Sequence, residues 1–164
     1  MTHANQLSPS DRERMLKQLK RHEGTKRDTS GLAHIAYRCT SGALTIGYGH
    51  NLDANPIPGI TAQSRLSEAE ACRILDVDVF LVERGLAERL PFAAGLDPAR
   101  YAVLVNMAFN MGLGGLLTFS NTLTEVRERR YAHAARRMMQ SRWAQQVGYR
   151  ARDLSRQMES GQWV

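Results

Sequence analysis

The sequence has little of what holds small secreted or membrane proteins together. It contains only two cysteines, Cys39 and Cys72, in 164 residues. One pair is too few for a disulfide framework, and a chain of this length buries a sufficient core without one, so reduced thiols are expected. No run approaches the ~20 apolar residues that span a bilayer, which argues against stable membrane insertion. Residues 1–10 are polar and lack an apolar h-region, which reads as the absence of a secretory signal. No His, Cys, Asp or Glu cluster has zinc spacing, and no glycine-rich phosphate loop occurs. Neither a metal nor a cofactor is therefore expected. An aromatic-and-basic strand motif and a clear recognition helix are also missing, which argues against nucleic acid as a partner. There are no internal repeats and no low-complexity segments.

What is present suits one compact domain over residues 1–164, with room for two lobes. Hydrophobic residues make up 43% of the chain, and 22 basic against 16 acidic residues give a formal charge of +6. A basic surface favours an acidic polymer: nucleic acid, anionic lipid headgroups, or a cell wall carrying carboxylates and phosphates.

Ser8-Pro9-Ser10-Asp11 reads as a helix start, with either serine as cap. Met15, Leu16 and Leu19 continue an apolar stripe, and Gly24 is a natural stop. A helix over 9–23 follows, with Glu23 at its C-terminus. The segment 25–32 is polar and reads as an exposed loop. The short β-prone runs 34–38 and 43–48, split by Thr40-Ser41-Gly42, make a hairpin pattern, and the β region extends over 24–66. Ser67-Glu68-Ala69-Glu70 is a capping box that opens a long connecting helix over 67–91. Asp97-Pro98 opens a helix apolar nearly all round, the expected centre of a helical lobe over 97–164 that ends at Gly112, Gly114 and Gly115. Shorter arginine-rich helices are expected around 121–129, 131–140 and 149–159. Elements segregated in this way imply an α+β fold: a small β-hairpin lobe and a larger helical lobe joined by the long helix. A cleft between them is the natural place for an elongated ligand.

Glu23 is the first candidate for chemistry. A carboxylate at a helix C-terminus is disfavoured in its charged form, which suits a proton donor. Glycosidic cleavage needs such an acid on the leaving oxygen and a second group across the sugar. The run Leu44-Thr45-Ile46-Gly47-Tyr48-Gly49-His50 places two glycines in an apparent strand. That marks a bulge or the close approach of backbone or ligand. Thr45 offers a hydroxyl for a water. His50 is either a ligand-facing base or a buried histidine paired with an acid. Trp143 and Trp163 read as packing anchors.

Arg21-His22-Glu23-Gly24, Ala36-Tyr37-Arg38-Cys39 and Thr45 to His50 resemble the phage lysozymes of glycoside hydrolase family 24. Val105 to Gly112, Phe119-Ser120-Asn121-Thr122-Leu123, Ser141-Arg142-Trp143, Arg150-Ala151-Arg152 and Gly161-Gln162-Trp163 continue the likeness in order over nearly the whole chain. The resemblance implies a lysozyme-like fold and a catalytic glutamate, aspartate and threonine. Glu23 and Thr45 match two of them; Cys39, six residues before Thr45, stands where the aspartate is expected. Fifteen residues separate Glu23 from Cys39, more than the family spacing, so an insertion around 25–32 is implied. Asp28 lies in it and is a rival carboxylate; the intact spacing to Thr45 favours Cys39. A thiolate there serves as base or nucleophile, whereas a neutral thiol only bonds weakly.

By the same resemblance Leu52, Phe109, Thr122 and Arg137 line the saccharide cleft, Asn110 and Arg150 face it, and His50 with Asp78 forms a structural ion pair. The implied reaction is hydrolysis of the β-1,4 bond between N-acetylmuramic acid and N-acetylglucosamine in peptidoglycan glycan strands, causing host lysis. The implied setting is a monomer held in a host cytoplasm until a holin pore releases it. Two alternatives stay open: a lytic transglycosylase on the same substrate, and a non-catalytic cationic protein acting on wall or membrane through its arginines.

Overall fold

The computed structural model describes residues 7–164; the first six residues of the polar N-terminal segment lie outside it. Helix α1 spans Pro9–Glu23. Ser8 is the serine that caps it, its Oγ accepting from the Asp11 amide at 3.1 Å, with Pro9 preset in the first turn. The helix stops because Gly24 takes a left-handed φ of 64°, with its amide bonded to the Lys20 carbonyl at 3.0 Å.

The described residues divide into two compact units, 18–81 and a larger one formed by 7–17 with 82–164. In the smaller unit, strands β2 (Tyr37–Arg38), β3 (Leu44–Ile46) and β4 (His50–Asn51) form an antiparallel sheet, with Tyr37 opposite Thr45 and Ile46 opposite His50. The expected hairpin is thus shorter at its start. Strand β1 (His34–Ile35), separated from β2 by Ala36, is not part of it and pairs instead with β5 (Arg65–Leu66). The two glycines do not lie within a strand. Gly47 and Gly49 have φ of 60° and 83° and make the tight turn between β3 and β4. Ile46, Leu52 and Leu66 are the buried centre of this unit, packed by Leu44, Ile57, Ile60 and Ile74.

The segment 25–32 is more ordered than its polar composition suggests. Arg27 bridges His34, the Asp28 amide bonds the Ala33 carbonyl, and the Ile35 amide bonds the Lys26 carbonyl. The segment is a laced turn with a short ladder at its base.

Helix α2 spans Glu68–Arg89. Its capping box closes both ways, the Ser67 amide donating to Glu70 Oε2 at 2.8 Å and the Glu70 amide to Ser67 Oγ at 3.2 Å. A 3-10 turn, Pro91–Gly95, follows, and then α3, Pro98–Leu117, capped by Asp97. Residues 101–108 of α3 are buried without a break, which explains why it reads apolar on every side. Gly112, at φ 78° and ψ 157°, breaks it before a last turn. Helices α4 (Ser120–Arg127), α5 (Tyr131–Met139), α6 (Arg142–Val147) and α7 (Tyr149–Ser160) complete the larger unit around Leu104, Met107, Met138 and Leu154. Among the described residues no single helix is long and apolar enough to cross a membrane.

Candidate active site

Glu23 closes α1, and what faces it is the turn after β3. A Cβ built on Gly49 would stand 2.8 Å from Glu23 Oε2 and 3.1 Å from its Cδ. The carboxyl group therefore lies directly on the Gly49 backbone, in space that only glycine leaves open. Glu23 is half-buried there. Gly47, two residues earlier, seats the turn against α2; a Cβ built on it would stand 3.5 Å from the Ala71 side chain.

Cys39 follows β2 and opens a tight turn, its amide bonded to the Ala43 carbonyl at 3.0 Å and its carbonyl to the Gly42 amide at 2.8 Å. Its Sγ lies 3.0 Å from the Ser41 hydroxyl. The Ser41 hydroxyl, the Ser41 amide and the Thr45 hydroxyl stabilise the thiolate and bring the thiol from 9.0 down to about 7. Thr45 is buried on β3 and its hydroxyl donates to the Ala43 carbonyl at 3.1 Å. Tyr37, opposite Thr45, joins this group. Burial raises its hydroxyl pKa, and the negative charges of Glu23 and Cys39 raise it further. The phenol thus feels both candidate catalytic groups. Sequence reasoning quoted Tyr37 in a motif without giving it a role; its position facing Thr45 required the register.

Asp28, the rival carboxylate, is occupied. The Ser30 hydroxyl and amide donate to its Oδ1, Arg65 pairs with its Oδ2, and these contacts lower its pKa.

His50 and Asp78 lie in the same unit, and the imidazole is buried. Nδ1 donates to Asp78 Oδ2 at 2.7 Å and Nε2 to the Asn55 carbonyl at 2.8 Å. Both ring nitrogens face acceptors, so the imidazolium satisfies both; accordingly the Asp78 carboxylate raises the His50 pKa against the opposing effect of burial.

The remaining predicted residues fall in both units. Leu52 is part of the smaller unit's apolar centre. In the larger unit, Thr122 and Arg137 line a groove of about 440 Å³ together with Phe119, Arg142 and Trp143. Phe109 and Asn110 are half-buried, and the Asn110 Oδ1 accepts from Trp143 Nε1 at 2.8 Å. Trp143 also packs edge-on against Phe119. Arg150 lies in the interior, 5% exposed, with Nε donating to Asn106 Oδ1 at 2.9 Å. Among the described residues no group of three His, Cys, Asp or Glu is placed to hold a metal ion.

The feature that sequence reasoning missed is Glu68. As the first residue of α2 beside a capping box it looks like an ordinary surface glutamate. In the structure its carboxylate collects Arg27, His34, Tyr48, Lys20 and Cys72.

Comparison with known proteins adds two findings. The model of the family described as phage lysozyme matches residues 27–160. The chain is 27% identical over 151 residues to a probable T4-type lysozyme 1 of Dictyostelium discoideum, covering 76% of this chain and 85% of that protein. The family match begins four residues after Glu23 and does not reach it.

Proposed function

Because the chain belongs to the phage lysozyme family and is a glycosidase of the lysozyme type, we propose that it cleaves the β-1,4 bond between N-acetylmuramic acid and N-acetylglucosamine by hydrolysis, with Glu23 as general acid. The observation that carries this reading is the Glu23 carboxyl seated on the Gly49 backbone, where a proton donor is held at a fixed place beside the turn. Glu23 gives its proton to the glycosidic oxygen as the bond breaks and positive charge develops on the sugar ring. Cys39, a thiolate in about half of molecules at a pH near 7, takes the aspartate's place. With the Thr45 hydroxyl it orients and deprotonates a water on the opposite face of the ring, which inverts the anomeric centre. Retention through a thioglycosyl intermediate is the alternative use of the same sulfur.

The substrate reading extends to Phe109, Asn110, Thr122 and Arg137 as glycan contacts; Leu52 and Arg150, expected with them, are buried at 7% and 5% exposure, Leu52 in the apolar centre of its unit and Arg150 against Asn106. The biological reading is a monomer that waits in the host cytoplasm and reaches the wall through a holin pore, causing lysis. Both rest on the family resemblance. The deciding experiment is Glu23→Gln assayed on permeabilised cells, with mass spectrometry of the muropeptides released by the parent enzyme. Loss of lysis by about 10³-fold is expected from removing a general acid, with products carrying a full water. Full lysis by the variant would mean that the arginines kill without bond cleavage; anhydro-muropeptides would mean a transglycosylase.

A further inference from the structure

Glu68 stands at the N-terminus of α2, where the helix end favours a negative charge. Its Oε2 accepts from Arg27 Nη2 at 2.7 Å and His34 Nε2 at 2.9 Å. Its Oε1 accepts from the Tyr48 hydroxyl at 2.7 Å, the Cys72 thiol at 3.3 Å and Lys20 Nζ at 3.4 Å. Partial burial alone would raise the carboxyl, but these donors hold it far below the ordinary glutamate range. The partners bond one another as well. Lys20 Nζ lies 2.9 Å from Cys72 Sγ and 5.0 Å over the Tyr48 ring, His34 meets that ring edge-on, and His34 Nδ1 lies 2.6 Å from the Thr25 hydroxyl.

The identity of the partners matters more than their number. Lys20 is one helical turn before Glu23, and Thr25 is two residues after it. Tyr48 is the residue before Gly49, the glycine on which the Glu23 carboxyl rests. One carboxylate thus fastens the helix end that carries the acid, the turn that follows the acid, and the strand connection that receives it.

We propose that Glu68 is a positioning residue that sets the Glu23 carboxyl against Gly49. This rests on the reading of Glu23 as general acid. A displacement of about 1 Å in a reacting group costs on the order of 10²-fold in rate, so the clamp acts on turnover more than on substrate binding. It also governs charge. Lys20 and Arg27 have Glu68 as counter-ion; without it their positive charge is unbalanced next to the segment that carries Glu23, whose charge Tyr37 also feels.

The test compares Glu68→Gln, Glu68→Ala and Lys20→Met with a control, Glu70→Gln, which removes the charge from the capping box on the same turn of α2 and weakens it. Glu23→Gln is run in parallel. For the Glu68 variants kcat is expected to fall about 10- to 100-fold with KM within about twofold. The alkaline limb of the kcat profile moves to lower pH as the unbalanced cations favour loss of the acid's proton. Adding Lys20→Met to Glu68→Gln returns that limb toward its original place. Glu70→Gln lowers the melting temperature and leaves the profile where it was. A folded Glu68→Ala with unchanged kcat and profile overturns the proposal, as does the same profile shift in Glu70→Gln. Should Glu68→Ala fail to fold, the Lys20→Met single variant decides: unchanged kcat overturns the proposal and a several-fold fall supports it. If Glu23→Gln stays active, the acid assignment falls and the clamp with it. If Glu23→Gln is inactive while the Glu68 variants match the parent, the clamp alone falls.

Discussion

In the proposed mechanism a sulfur at position 39 does the work of a carboxylate, and its neighbours suit it to that task. A cysteine at its ordinary value is mostly protonated at neutral pH and would bring no charge to the site. The Ser41 hydroxyl and amide and the Thr45 hydroxyl lower Cys39 to about 7, which restores a negative charge in a large share of molecules. Alkylation of Cys39 by iodoacetamide should therefore rise with a midpoint near 7, read by mass spectrometry of the 39-containing peptide; a midpoint at the ordinary thiol value would contradict the assignment. Cys39→Ala should lose about 10²-fold in kcat as a base is removed, and Cys39→Asp should keep most of it. Activity unchanged from the parent in both Cys39→Ala and Cys39→Ser would take the sulfur out of the reaction. At this scale the sequence was informative about Thr45 and Cys39, whose spacing is local and survives folding. It was silent about Glu68, because a glutamate one residue past an N-cap is unremarkable until its partners from four other segments are seen.

Among elements, β4 and α2 are joined by His50 and Asp78, 2.7 Å apart, with the imidazole 6% and the carboxylate 20% exposed. The direction of the pH effect follows from the raised His50 pKa. An unfolded histidine titrates near 6.5, and the folded one binds its proton more tightly. The stabilisation is complete below the unfolded value and is lost as pH climbs through the raised folded one. Thermal melts at rising pH from 5.5 to 8.5 should show that loss in the parent and lack it in His50→Asn. The variant should be less stable by about 3 kcal/mol at acid pH, the cost of leaving a buried partner unpaired. A stable but inactive His50→Asn would give the histidine a chemical role instead. Helix starts were legible because caps are local chemistry: Ser8-Pro9, Ser67 with Glu70, and Asp97-Pro98 each open a helix. The pairing of His34 with Leu66 was not, since strands of two residues carry no period and the partner lies far along the chain. Helix α6 was missed because six residues are too few to display a helical stripe, although Ser141 caps it through the Ala144 amide.

For the molecule as a whole, the formal charge of +6 is carried largely by arginines. Arg127, Arg129, Arg130, Arg136, Arg142 and Arg152 are exposed on the larger unit, while Arg150 is interior. Exposed cations act on an anionic polymer over about one Debye length, which shrinks from ~10 Å at 0.1 M to ~3 Å at 1 M salt. Lysis of permeabilised cells should therefore slow several-fold across that range, whereas cleavage of a short uncharged glycan should change little; equal salt sensitivity would place the effect in the chemistry. The α+β class and the order of elements could be read from the sequence because periodicity, caps and glycines agree with one another. The arrangement inside the insertion could not, since a polar run looks the same whether it is free or laced. Its lacing has a practical side. The ladder from Lys26 to Ile35 isolates the tip, where Gly31 and Leu32 project into solvent, Leu32 with 77% of its surface uncovered. A targeting peptide spliced between those two residues would ride on a stem whose foot is already bolted down, so cargo could be grafted there to redirect the enzyme without loosening its working parts.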